Sequence, residues 1–286
     1  MRVLVTGAGG QLGRDVVDGC SAAGDEVIAC DRATLDVSDR ERVLQVIAAA
    51  APDAVVHAGA WTNVDGCETD PDRAYAVNAL GTRHVAEAAR MVGARVCYVS
   101  TDYVFDGTGT RPYHEWDATN PLSVYGRSKL AGEGVLGPAD TVVRTSWVCG
   151  RHGRNFVRTI LTRAAQGQHL TVVDDQRGCP TFTEDLAAMI RTLVVARRPG
   201  VFHVTNQGAT TWYRLARDAV ELAGFDPALV TPIATAELQP PRPAPRPANS
   251  VLDNAALRLS GVPLLADHHE PLERLVKELV ASGALA

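Results

Sequence analysis

Long apolar runs are missing from this 286-residue sequence. No stretch approaches the roughly 20 consecutive apolar residues of a membrane-crossing helix, so no membrane partner is expected. The opening MRVLVTGAGG carries one basic residue and a short apolar segment that breaks at glycine. That segment is shorter than the core of a secretory signal. A surplus of positive charge is missing as well. Lys and Arg number 28 against 33 Asp and Glu, for a formal net charge of -5, and no basic stripe stands out. A nucleic-acid partner is therefore not expected. Metal signatures are scarce too. Cys20, Cys30, Cys67, Cys97, Cys149 and Cys179 include no CxxC pair, and the eight histidines form no HxxxH or HExxH pattern. Scattered cysteines of this kind read as buried, reduced thiols of a cytoplasmic protein. His268 and His269 read as a surface pair with diverging side chains.

Hydrophobic residues make up 46% of the chain, enough to bury a sizeable core. In the first half, short runs rich in Val and Ile alternate with amphipathic stretches. Strands are expected at 2–6, 26–30, 54–57, 95–99 and 141–145. Helices are expected at 10–23, from a capping box at Ser38–Glu41 to about residue 50, at 74–92 and at 124–136. This alternation implies a doubly wound parallel sheet of Rossmann type, an α/β fold covered on both faces. After Trp147 the rhythm loosens, with helices expected at 155–165, 184–196, 212–223 and 271–282 and strands at 170–173 and 201–205. The division is a dinucleotide-binding domain at 1–148, with some return of later segments at about 170–205, and a smaller substrate-binding lobe in 149–286. Residues 240–247 (PPRPAPRP) can be neither helix nor central strand. They read as a polyproline connector or as a rigid wall of the substrate cleft.

Gly7, Gly9, Gly10 and Gly13 form a GAGGQLG loop between the first strand and first helix. Side chains there would block a tight turn and the approach of a pyrophosphate to backbone N–H groups at the helix start. Asp31 ends the second strand, where a carboxylate accepts from adenosine ribose hydroxyls, whereas Arg32 suits a ribose 2′-phosphate. The cofactor is thus NADH or NADPH. Asp36 and Val37 are placed at the adenine pocket, and Ala58, Gly59 and Ala60 at a strand end where small side chains let the cofactor lie close. Tyr125 and Lys129 share one face of a predicted helix. A nearby ammonium is expected to lower the phenol's pKa from its ordinary ~10 and make it a proton donor. Ser100-Thr101-Asp102-Tyr103 ends the fourth strand at the ligand-binding edge. A hydroxyl there can hold a substrate carbonyl, and position alone does not choose between Ser100 and Thr101.

The glycine loop, STDYVFDG at 100–107, NPLSVYGRSKLAGE at 120–133 and RTSWV at 144–148 resemble the extended short-chain dehydrogenases, and more narrowly the dTDP-4-dehydrorhamnose reductase family. DQRGCPT at 175–181 and RPANSVLD at 246–253 resemble it too, so the likeness runs over residues 3–253. It implies hydride transfer from a nicotinamide to C4 of a nucleotide-bound 4-keto sugar. In that scheme Tyr125 donates the proton, and Lys129 tunes it and holds the nicotinamide ribose. Thr101 is the hydroxyl, and Asp102, Tyr103 and Trp147 touch the sugar nucleotide. Gly10, Gln11, Leu12, Asp31, Asp36, Val37, Ala58, Gly59 and Ala60 match cofactor contacts. Some relatives hold magnesium through three acidic side chains, for which Asp15, Glu184 and Glu278 are the counterparts; no metal is predicted here. A monomer or homodimer is expected. Similar dehydratases carry glutamate where Tyr103 stands, which argues for simple reduction. An epimerase, a reductase of another 4-keto sugar, and a non-catalytic relative such as the regulatory subunit of methionine adenosyltransferase are the alternatives. The presence of Tyr125, Lys129 and Thr101 argues against the last.

Overall fold

The computed structural model describes residues 1–283 and 285. Its centre is a six-stranded, all-parallel sheet of β1 (Arg2–Thr6), β2 (Glu26–Cys30), β3 (Ala54–His57), β4 (Arg95–Thr101), β5 (Thr141–Thr145) and a late strand, Gly200–His203. Alternation sorts the side chains of these strands onto two faces. Val3, Val5 and Val56 pack under α1 (Gln11–Ala22) and a later helix, Thr183–Val195. Leu4, Val55, Val96 and Tyr98 pack under α2 (Arg40–Ala50) and α5 (Gly81–Met91). Both faces are dry, so the strands read as unbroken apolar runs. The sheet order places β1 between β2 and β3, so connections leave β1 in both directions and a crevice opens at its carboxyl end.

The remaining elements fix the walls of that crevice. Beside it lie α3 (Val64–Thr69), α4 (Pro71–Tyr75), a π-turn at Ala76–Leu80, and α6 (Val124–Glu133). After β5 the chain forms β6 (Val148–Cys149), α7 (Phe156–Ala165), β7 (Leu170–Val173), β8 (Arg177–Gly178) and β9 (Thr181–Phe182). The chain returns to the main sheet through α8 (Thr183–Val195) and β10 (Gly200–His203). It then forms β11 (Thr210–Thr211), α9 (Trp212–Leu222), β12 (Val230–Ile233), α10 (Ala255–Leu259) and α11 (His269–Ala281). β7 pairs with β12 in a separate two-stranded sheet and does not join the central one. Among the described residues no helix is long and apolar enough to cross a membrane.

Several local expectations are corrected. The cap of α2 is Asp39, whose carboxylate accepts from Arg42 N at 3.0 Å; Ser38 is diverted to Asp36 at 2.6 Å. The stretch expected to be largely helical at 74–92 is helical over 71–91, with a π-turn at Ala76–Leu80 whose Asn78 side chain bonds the Trp61 backbone and the Ser128 hydroxyl. α3 was not expected and is capped by Asn63, which accepts from Gly66 N. β4 runs two residues further, to Thr101, because Ser100 and Thr101 stay in register with Arg144 and Thr145. His268 is buried and its ring lies 4.1 Å from that of His269. Reciprocal backbone bonding between Gln207 and residues 266–268 pulls it inward. All six cysteines are buried and free.

Candidate active site

The glycine loop packs as its sequence demands. Gly7 has φ +67°, and a Cβ on it would lie 2.7 Å from Gly59 N. The β1 and β3 turns therefore touch backbone to backbone. Gly10 caps α1 without any side-chain bond, and the first turn holds no acidic residue. Its amides are left to an anion, and the helix dipole favours one. A cavity of about 230 Å³ is lined by Gly7, Gly10, Arg32, Asp36, Val37, Ala58, Gly59 and Ala60. A second, of about 460 Å³, shares this loop and adds Gln11, Leu12, Gly13, Thr101, Asp102, Tyr103, Tyr125, Lys129 and Trp147. The groove thus fits an extended dinucleotide, with small residues along its floor and free donors at its middle. Asp31 is the exception. It lines neither cavity, and its carboxylate accepts from Thr34 N and Oγ1, both at 2.9 Å. Those bonds hold it below the ordinary carboxylate range. Arg32 is exposed and only 3.9 Å from Asp36, while Arg73 lies over the Trp61 ring at 4.5 Å.

α6 presents the proton-transfer pair. Ser123 caps it by accepting from Gly126 N at 3.1 Å, and Gly126 lets the helix press on Tyr103, whose carbonyl would lie 2.2 Å from an added Cβ. Tyr125 and Lys129 are both buried. Lys129 Nζ donates to Val99 O at 2.6 Å and sits 4.0 Å from the Tyr98 ring centroid. Burial pushes this amine down to about 7, opposed by the charge of Glu133. Glu133 is itself locked by Arg144 at 2.7 Å and by Ser100 Oγ at 2.5 Å. The expectation of an acidified phenol is corrected. Burial raises the Tyr125 pKa, Asp102, Tyr103 and Cys67 add to the rise, and only a hydrogen bond with Thr101 opposes it. The cause is a dry site in which the ammonium is turned to a backbone carbonyl.

The strand end resolves its two hydroxyls. Ser100 is committed to Glu133, whereas Thr101 faces Tyr125 and donates to Asp102 Oδ1 at 3.0 Å. Asp102 Oδ2 is buried with no partner among the described residues, and burial raises this carboxyl to about 6. The Tyr103 ring meets Tyr125 edge-on at 5.7 Å, and burial pushes its phenol up to about 12. Trp147 has φ +48°, a strained conformation for a bulky residue, and stacks on Trp212 at 3.6 Å. Gly178 makes room for it, since a Cβ there would lie 2.4 Å from the indole.

Two groups escaped the sequence reading, and one open reading is decided. Asn78 anchors the Trp61 backbone at 2.8 and 3.1 Å and the Ser128 hydroxyl at 3.0 Å; an asparagine amid the apolar AVNAL was its one signal. Trp212 lines both the catalytic cavity and a neighbouring one of about 500 Å³. The proline segment also lines the latter through Arg242 and Arg246, so it is a wall of the cleft and more than a connector. Asp15, Glu184 and Glu278 do meet around one small pocket, but with Arg151 and Arg274. Arg151 lies 3.2 Å from Asp15 and 4.0 Å from Glu278, and Arg274 lies 3.1 Å from Glu184. Guanidinium groups already neutralise these carboxylates, so the donor set does not fit a divalent cation.

A glycine turn at the first strand of a doubly wound sheet, facing a Tyr-x-x-x-Lys helix and a strand-end threonine, defines an extended short-chain dehydrogenase/reductase. The family model described as RmlD substrate binding domain matches residues 1–281, and the chain belongs to that family. It is 44% identical over 270 residues to a dTDP-4-dehydrorhamnose reductase of Streptomyces griseus, covering 91% of this chain and 88% of the relative. It is 43% identical over 270 residues to a dTDP-4-keto-6-deoxy-D-glucose reductase of Streptomyces niveus, covering 91% of each. The crystal structure of the Bacillus anthracis dTDP-4-dehydrorhamnose reductase in complex with NADP superposes with a TM-score of 0.93 at 36% identity, covering 97% of this chain and 99% of that one.

Proposed function

We propose that the protein reduces the C4 ketone of a dTDP-4-keto-6-deoxysugar, converting dTDP-4-dehydro-L-rhamnose to dTDP-L-rhamnose in the cytoplasm. The observation that carries this reading is one cavity lined by the glycine loop, Thr101, Tyr125 and Lys129 together. NADPH or NADH, when bound, supplies the hydride. Thr101 hydrogen-bonds the substrate oxygen, and Tyr125 gives it a proton as negative charge develops. The raised phenol pKa keeps the proton on Tyr125 until an alkoxide, a far stronger base, needs it. Lys129, in the same cavity, holds the nicotinamide ribose, and Asp102 Oδ2, without a partner among the described residues, accepts from a sugar hydroxyl. Trp147 offers the sugar an aromatic face. Arg32 and Arg73 beside the adenosine cavity favour NADPH.

The Streptomyces niveus relative supports a second reading, in which the ketone belongs to another dTDP-6-deoxysugar. One assay separates the two. Purified protein is mixed with NADPH and each ketone in turn, and loss of cofactor absorbance is followed with product identification. Turnover of dTDP-4-dehydro-L-rhamnose is expected to exceed that of other ketones. Tyr125→Phe is expected to lower kcat by about 10²- to 10⁴-fold with little change in NADPH affinity. Near-normal turnover by that variant would remove Tyr125 from the chemistry.

A further inference from the structure

Trp147 lines the catalytic cavity on a backbone that a tryptophan does not adopt unaided. Its φ of +48° is strained for a bulky side chain, and such strain persists only where the surroundings impose it. Its carbonyl accepts from Thr181 N at 3.3 Å and from the Cys149 thiol at 3.4 Å, which fixes the peptide but not the ring. The ring is fixed by Trp212. The two indoles stack with centroids 3.6 Å apart and planes 11° from parallel. Trp212 is braced in turn. Phe156 of α7 packs against it at 4.6 Å, and Thr211 opens α9 by accepting from Arg214 N at 3.2 Å while its hydroxyl bonds Asp174. β8 and β11 pair Gly178 with Thr210. One short ladder thus brings in both the glycine that leaves room for the Trp147 ring and the helix start that carries Trp212.

We propose that Trp212 is a positioning residue: by stacking on Trp147 it holds that ring in its left-handed backbone conformation and so sets where the sugar ketone lies before Tyr125. The proposal rests on the nucleotide-sugar reading above. Aromatic rings stacked in this way attract each other beyond their buried area, so the stack offsets the strain at Trp147. Without its partner, the Trp147 ring is released from the conformation that the stack imposes. The ketone then sits displaced from the phenol and the hydride, and small displacements of reacting atoms cost large factors in rate. Trp212 therefore acts through Trp147, and its loss falls on the ketone step and not on the cofactor.

The test is a double-mutant cycle on the full chain, read by steady-state kinetics with NADPH and dTDP-4-dehydro-L-rhamnose. Trp212→Leu is expected to lower kcat by about 10- to 100-fold, with KM for NADPH unchanged. Trp212→Phe, which keeps an aromatic face, is expected to retain most of the wild-type kcat. Trp212→Met keeps a long apolar side chain and carries the test if Trp212→Leu loses its fold, as the melting temperature reports. The double variant Trp147→Leu/Trp212→Leu is expected to be no slower than Trp147→Leu alone, because Trp212 then has no ring to position. Losses that multiply in the double variant make Trp212 an independent contact and overturn the proposal. Far-ultraviolet circular dichroism reads the stack itself. The exciton couplet of paired indoles is expected in the wild type and is lost in each Leu variant; a wild type without it overturns the stack in solution. A wild type that reduces none of the dTDP ketones refutes the reductase reading. A wild type that reduces one, beside a folded Trp212→Leu or Trp212→Met variant of equal kcat, refutes this assignment and leaves that reading in place.

Discussion

Burial acts on Tyr125 and Lys129 in opposite directions, holding the proton on the phenol and loosening it from the amine. Asp102 shares that dry environment. Its carboxyl is raised to about 6 from an ordinary 3.8, so the folded state binds the proton more tightly than the unfolded chain. Its contribution to stability is greatest below the unfolded value and is lost as pH rises through 6. Asp102→Asn is therefore expected to be more stable than the wild type at pH 8, by about 2–3 kcal/mol. The gain shrinks as pH falls from 6 towards 4. Urea unfolding at both ends of that range checks it, and a gain independent of pH would contradict the assigned cause. Arg32 gives a second prediction. Asp31 is engaged by Thr34, while Arg32, exposed and 3.9 Å from Asp36, lines the cavity of about 230 Å³ beside the glycine loop. Arg32→Ser is expected to raise KM for NADPH about tenfold and leave KM for NADH unchanged, read from initial rates with each cofactor.

At the scale of elements, α6 is the part that a small change moves most. A Cβ on Gly126 would lie 2.2 Å from the Tyr103 carbonyl oxygen. Gly126→Ala forces helix and strand end apart and shifts Tyr125 against Thr101, so kcat is expected to fall about 10²-fold. The far-ultraviolet circular dichroism is expected to stay that of the wild type. Loss of helix signal instead would make this a folding defect. The elements themselves were largely legible. β1, β3 and β5 are short Val-rich runs between breakers, and dry faces on both sides make such runs unmistakable. The Tyr125–Lys129 spacing and the strand-end Thr101 were legible because helix and strand periods are local. What escaped was non-local. The Arg246–Asp65 pair spans 181 residues of chain, and nothing near either residue announces the other. The raised phenol pKa escaped for the same reason, since desolvation is set by every element packed around α6.

Across the whole molecule, Arg274 of α11 and Arg151, which faces Glu278 of α11, tie that helix to α8 and α1. Arg151 reaches Asp15 and Asp18 on α1, and Arg274 reaches Glu184 and Asp185 on α8. With these carboxylates engaged, millimolar magnesium is expected to leave the melting temperature unchanged, and a chelator is expected to leave turnover unchanged. A cation that bound the folded form would raise the melting temperature with its concentration. The sheet is also completed from a distance. β10 pairs with β5 only after β6 to β9 have been made, and α8 covers the face formed by Val3, Val5, Val56 and Val143. A ribosome delivers five strands before it delivers the pieces that seal them. A nascent chain paused near residue 180 therefore shows an unpaired β5 edge and a half-covered valine surface, the features that recruit chaperones and seed aggregates. Shielding of that edge and surface during synthesis is expected to raise the amount of folded chain a cell recovers.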